Sequence, residues 1–164
     1  MNLSAVARTD VGEAIERLER MPEFVDAALE SATPEELLFR PAPGEFALVE
    51  HVCHLRDLER EGYLVRVRRM LSEPAPALEG FDGTAVAENR HYLKQDARAA
   101  AQGFEAARRE LTGILAALSG DDWERSATFG DERITLTDLV AMIVEHDREH
   151  RAQMERLKDQ LKSK

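Results

Sequence analysis

The sequence predicts an all-α protein, a four-helix bundle, on three observations. Apolar residues recur three or four positions apart through four long segments, as the buried stripe of an amphipathic helix requires. The composition is rich in Ala, Leu, Glu and Arg, residues that favour the helix. No stretch shows a convincing strand alternation. With 164 residues the chain fits one domain, read over 1–164, which is long enough to bury a core.

The first helix is expected from about Val11 to Leu29, with Val11, Ile15, Leu18, Met21, Val25 and Leu29 along one face. Pro22 has no N–H to give and should kink or split that helix near Arg20 and Met21. Thr33-Pro34-Glu35-Glu36 reads as a capped helical turn, and Pro41, Pro43 and Gly44 as a loop. The second helix is expected from about Ala47 to Leu71, where Leu48, Val52, Leu55 and Leu58 share a face that Val67 and Met70 continue. Pro74, Pro76, Gly80 and Gly83 mark a long connection, of the kind a bundle with crossovers uses.

In the third helix Leu93, Ala97, Ala100, Phe104, Ala107, Leu111, Ile114 and Leu118 step by three and four, and Ser119-Gly120-Asp121-Asp122 ends it. Residues Ser126 to Arg133, with Gly130-Asp131 at their middle, form either a loop or a short hairpin. Thr135 and Asp138 make a capping box for a fourth helix that reaches about Leu161. Its stripe of Leu136, Val140, Ile143, Met154, Leu157 and Leu161 is interrupted by His146 and His150.

The formal net charge of −10 argues against a grip on nucleic acid, which needs clustered cations against phosphate. Cys53 is the only cysteine, so no intramolecular disulfide can form, and it reads as a small packing residue. No segment approaches the roughly 20 apolar residues of a membrane span, and the N-terminus lacks an apolar stretch of signal-peptide length. The expectation is a cytoplasmic protein with no nucleic-acid and no membrane partner. Leftover apolar helix faces would suit a symmetric homodimer.

His146 and His150 are four apart, so their rings stack one turn apart on one helix face and both can reach a metal ion. The competing reading is one core-edge histidine beside one solvent histidine. The second helix offers His51 and His54, and spacing does not decide which of them faces the fourth helix. Asp147 and Glu149, between the paired histidines, read as solvated residues, and the cluster Arg60, Arg66, Arg68 and Arg69 as a solvated face in preference to a site for an anionic cosubstrate. His91 stands outside these groups and reads as a surface or loop residue.

The run from Phe46 to Glu59, FALVEHVCHLRDLE, resembles the hallmark second helix of DinB-like proteins, a superfamily that includes YfiT-like metal-dependent hydrolases and thiol transferases. Its pattern is Trp-Ser, a Glu three positions on, then His-Leu with an Asp two residues later; Glu50, His54 and Asp57 match. His146-Asp147-Arg148-Glu149-His150-Arg151-Ala152-Gln153 is similar to the family's His-(Asp/Glu)-x-x-His-x-x-Gln segment. Phe46 stands for the usual Trp and should keep its packing role; Ala47 stands for the usual Ser and removes a side-chain cap, a loss of about 1 kcal/mol if nothing replaces it.

The resemblance implies a divalent-metal site of His54, His146 and His150; Glu50, one turn before His54, reads either as a residue that orients that ring or as an ordinary helix-surface glutamate. Three neutral imidazoles leave a tetrahedral ion one open position, the layout of a catalytic site, and imidazoles suit zinc, nickel, copper and iron, with Zn or Ni expected here. The implied activity is transfer of a low-molecular-weight thiol cosubstrate onto a small-molecule electrophile, or hydrolysis by a metal-dependent route. The alternative is a stress-related bundle that binds metal or a partner without turnover.

Overall fold

A computed structural model describes residues 3–163. Met1, Asn2 and Lys164, included in the single domain read from the sequence, lie outside the described residues. Four long helical columns make the bundle: α1 (Leu3–Glu30); α3 (Leu48–Leu58), continued by a π-helical segment (Glu59–Tyr63) into α4 (Leu64–Ser72); α6 (Ala97–Ala116); and α7 (Leu136–Lys162). Short helices α2 (Pro34–Leu37) and α5 (Gly83–Asn89) lie in the connections. Both α1 and α3 pack against α6 and α7, so the first two columns in sequence lie diagonally across the bundle. The connections at 31–47 and 73–96 supply the crossovers this needs.

The region left open between loop and hairpin is a hairpin, β2 (Ser126–Phe129) and β3 (Glu132–Thr135), turned by Gly130-Asp131 with Gly130 at φ +60°. A third strand was not expected: β1 (Ala77–Leu78) pairs parallel to β2, Ala77 opposite Thr128. Its two residues are too few to show an alternation. The hairpin runs directly into α7, whose capping box is formed as read, Thr135 Oγ1 accepting from Asp138 N–H and Asp138 Oδ2 from Thr135 N–H.

Pro22 does not break α1, which runs unbroken from Leu3 to Glu30. A proline inside a helix frees the carbonyl four residues back, here that of Leu18. That carbonyl accepts from Arg108 Nη1 at 3.0 Å, a donor brought from α6, so the helix continues without an unpaired acceptor. The start of α3 is compensated in a similar way. Ala47 offers no side-chain cap, but Glu50 reaches back to accept from Ala47 N–H at 3.0 Å.

The apolar interior falls into two clusters. One gathers Met21, Val25, Val52, Leu55, Phe104, Met154 and Leu157; the other gathers Leu18, Leu58, Val67, Met70, Leu111, Leu136 and Ile143. Where they meet lies a layer of buried polar side chains: Glu59, Arg108 and Asp147, with His146 and His150 on the same stretch of α7.

Candidate metal centre

Two helices bring four histidines together. Positions 51 and 54 on α3 are three apart, and 146 and 150 on α7 are four apart, so each pair projects from one side of its helix. His54, His146 and His150 each place a ring nitrogen within 4.8 Å of the others. Nε2 of His54 and Nε2 of His146 are 3.3 Å apart. Both candidates on α3 reach α7, because His51 Nδ1 lies 2.8 Å from His150 Nδ1. Aromatic neighbours frame the rings: Phe46 lies 5.6 Å from both His51 and His54, and Tyr63 lies 5.9 Å from His146. Phe46 thus keeps the packing role expected of it.

Burial keeps these imidazoles neutral. It is the main cause of pKa values lowered to about 4 for His51 and His54, about 3 for His146 and about 2 for His150. Neighbouring imidazoles add to the effect for His51, His146 and His150, whereas Asp57 opposes it at His54. A ring nitrogen must be deprotonated to bind a metal ion, and at neutral pH these already are. The spacing also fits: two nitrogens about 2.0–2.1 Å from one tetrahedral ion stand roughly 3.3–3.4 Å apart. Nδ1 of His54 and Nδ1 of His146 are buried without a hydrogen-bond partner.

A cleft of about 440 Å³ opens on the cluster. His51, His54 and His150 line it, with Glu45 and Phe46 from the loop before α3, Gly83 from the start of α5, and Gln153 and Arg156 farther along α7. Gly83 is where the wall meets the site. A Cβ there would stand 2.7 Å from His54 Cε1 and 2.9 Å from His54 Nδ1, closer than side chains tolerate. Gly83→Ala should therefore cost about 1–3 kcal/mol by overpacking, measured by urea unfolding. Gly80→Ala, which meets nothing within 4 Å, is the control and should cost far less. Equal effects from the two would mean that the His54 ring yields freely.

The family profile of the DinB superfamily matches residues 17–154. This chain belongs to the DinB superfamily. The fold agrees with that membership: YfiT from Bacillus subtilis superposes with a TM-score of 0.85 at 24% identity, covering 92% of this chain and 87% of that one. YfiT is described as "a probable metal-dependent hydrolase with an unusual four-helix bundle topology". No curated protein matches the chain.

Within this DinB bundle several residues serve otherwise than the sequence suggested. Glu50 does not turn towards His54. Its two oxygens accept from Arg40 Nε and Nη2, both at 2.7 Å, and one also holds the start of α3. Asp147 is not solvated but buried, and it pairs with Arg108 through contacts of 2.6 and 3.0 Å. Glu149 is exposed as expected.

The arginine group divides as well. Arg66 is buried, stacks 4.8 Å from Phe129 and 5.5 Å from Tyr63, and donates to Glu79 O, while Arg68 pairs with Glu110 and Arg69 with Glu73. Asp57, which matches the family pattern, faces away from the cluster and binds Arg56, Arg90 and Tyr92 Oη. Cys53 is buried as a packing residue, and burial pushes its thiol up to about 11. His91 is exposed, with φ +51° at a turn. No helix among the described residues is long and apolar enough to cross a membrane.

Proposed function

We propose that His54, His146 and His150 hold a divalent metal ion, Zn or Ni, and that the adjoining cleft is the active site of a metal-dependent enzyme. The observation that supports this most directly is a cluster of three neutral imidazoles beside an open cleft, with nitrogens within 4.8 Å of one another and those of His54 and His146 3.3 Å apart. Bound there, the ion would supply Lewis-acid chemistry, lowering the pKa of a coordinating thiol or water.

The residues around the site favour transfer of a low-molecular-weight thiol over hydrolysis. Hydrolysis needs a group to pass a proton to the departing atom, usually an acid held at the reacting centre. Glu45, the one carboxylate among the described lining residues, sits on the exposed loop before α3, and His51 on the same wall is kept neutral by burial, which leaves its N–H a hydrogen-bond donor but a weak acid. A thiol ordinarily ionises near pH 8.5, close enough to neutrality that positive charge alone brings it to reactivity. The chain's own part is then to hold the nucleophile and to place the electrophile against the wall formed by Phe46 and Gly83.

The test is metal content of untagged, undialysed protein by elemental mass spectrometry. About one equivalent of zinc or nickel is expected, falling to background in His54→Ala and His146→Ala. Loss of free thiol against a panel of electrophiles, compared with hydrolysis of activated esters, then separates the two activities. Wild-type protein that neither carries nor takes up either ion would sink the proposal.

A further inference from the structure

We propose that His51 is a positioning residue for the metal centre: it fixes the proton of His150 on Nδ1, so that His150 presents Nε2 to the metal. This rests on the metal-centre reading above and adds a fourth histidine to it. His51 Nδ1 and His150 Nδ1 are 2.8 Å apart with ring planes at 81°, a hydrogen bond inside the bundle between residues only 3% and 8% exposed. Two neutral imidazoles can share that contact only if one nitrogen carries a hydrogen and the other a lone pair.

Whichever way the proton lies, the contact occupies Nδ1 of His150 and leaves Nε2 as its nitrogen for the cluster. A ligating Nε2 must offer its lone pair, so the single proton of His150 sits on Nδ1 and is donated to His51. His51 then carries its own proton on Nε2. That ring lines the cleft, so the same arrangement supplies an N–H donor on the cleft wall.

The asymmetry among the three candidate ligands supports assigning this role to His51. Nδ1 of His54 and Nδ1 of His146 are buried without partners, so the protein clamps His150 alone from behind. Glu50, one residue earlier and already bound to Arg40, is not available for the task. The edge of Phe46 against the His51 ring, at 5.6 Å and 82°, limits its rotation and keeps Nδ1 turned to α7.

The first measurement is long-range ¹H–¹⁵N correlation on zinc-loaded, histidine-labelled wild-type protein. His150 should appear as the Nδ1–H tautomer and His51 as the Nε2–H tautomer; a proton on His51 Nδ1 overturns the inference. The second is zinc affinity by chelator competition. His51→Leu should weaken binding by about 10–100-fold, the usual cost of losing such an outer partner, and His51→Gln, whose amide oxygen can accept from His150, should recover part of it. Zinc affinity within threefold of wild type in a folded His51→Leu protein would overturn the inference while leaving the metal centre standing. A wild type that takes up no zinc overturns both, which separates the two failures.

Discussion

Replacing Arg108 with methionine is expected to destabilise the protein by about 3–5 kcal/mol, measured as a loss of unfolding free energy in urea. The side chain is 1% exposed, and all five of its N–H groups are used. Nε and one Nη2 hydrogen go to Glu59, at 2.5 and 3.1 Å; Nη1 and the other Nη2 hydrogen go to Asp147, at 2.6 and 3.0 Å. The remaining Nη1 hydrogen goes to Leu18 O. Burial disfavours the guanidinium charge, but the two carboxylates outweigh it and hold Arg108 protonated well above its ordinary range.

Truncation therefore leaves two buried carboxyls without a counterion and the carbonyl beside Pro22 without a donor. A typical domain has only about 5–15 kcal/mol in hand. Arg108→Lys keeps the charge but not the fork of donors and should fall between the two. Adding Glu59→Leu and Asp147→Leu to Arg108→Met should restore much of the loss, because a fully apolar layer strands no charge. A cost below about 1 kcal/mol for Arg108→Met would mean that water enters the layer and replaces the guanidinium.

Acidification should destabilise the metal-free protein steeply. An unfolded histidine titrates near 6.5, whereas the four at the site titrate between about 4 and about 2 in the folded chain. Below pH 6.5 the unfolded chain binds protons that the folded one refuses. The stability is then fully present above that pH and is lost as the pH falls towards 4, where His51 and His54 begin to charge.

Each such histidine contributes a slope of up to about 1.4 kcal/mol per pH unit, so four together reach roughly 5 kcal/mol per unit. Urea unfolding of chelator-treated protein at pH 7, 6 and 5 checks this. His150→Leu should flatten the slope by about one histidine's share, because it removes the imidazole that burial and the neighbouring His146, His51 and His54 hold lowest. Stability unchanged from pH 7 to 5 would mean that the folded rings accept protons freely and stand in water.

The long stripes made the bundle legible, since a period of three and four survives whichever way a helix is oriented. The i, i+4 spacing made the histidine pair on α7 legible, but choosing between His51 and His54 needed the angle between two helices, which no single stripe contains. Both in fact lie against a histidine of α7. Glu50, Asp147 and Arg66 were misread for one reason: each is covered by a partner outside its own helix, Arg40, Arg108 and Phe129 respectively. The π segment was equally hidden. It widens one turn, with Leu64 N–H bonding to Glu59 O, and this is what puts Val67 and Met70, read as buried from their spacing, on the inward face together with Tyr63. Val65, which a straight helix from Leu58 would turn inward, is instead 43% exposed.

The cleft is built from two kinds of material. Its histidines stand on α3 and α7, long helices locked by the shared core, while Glu45, Phe46 and Gly83 come from the connections between helices. Connections tolerate substitution and insertion that packed helices do not. Substitutions in the segments at 41–46 and 83–84 would therefore reshape the mouth of the cleft while leaving the histidine cluster where the helices hold it.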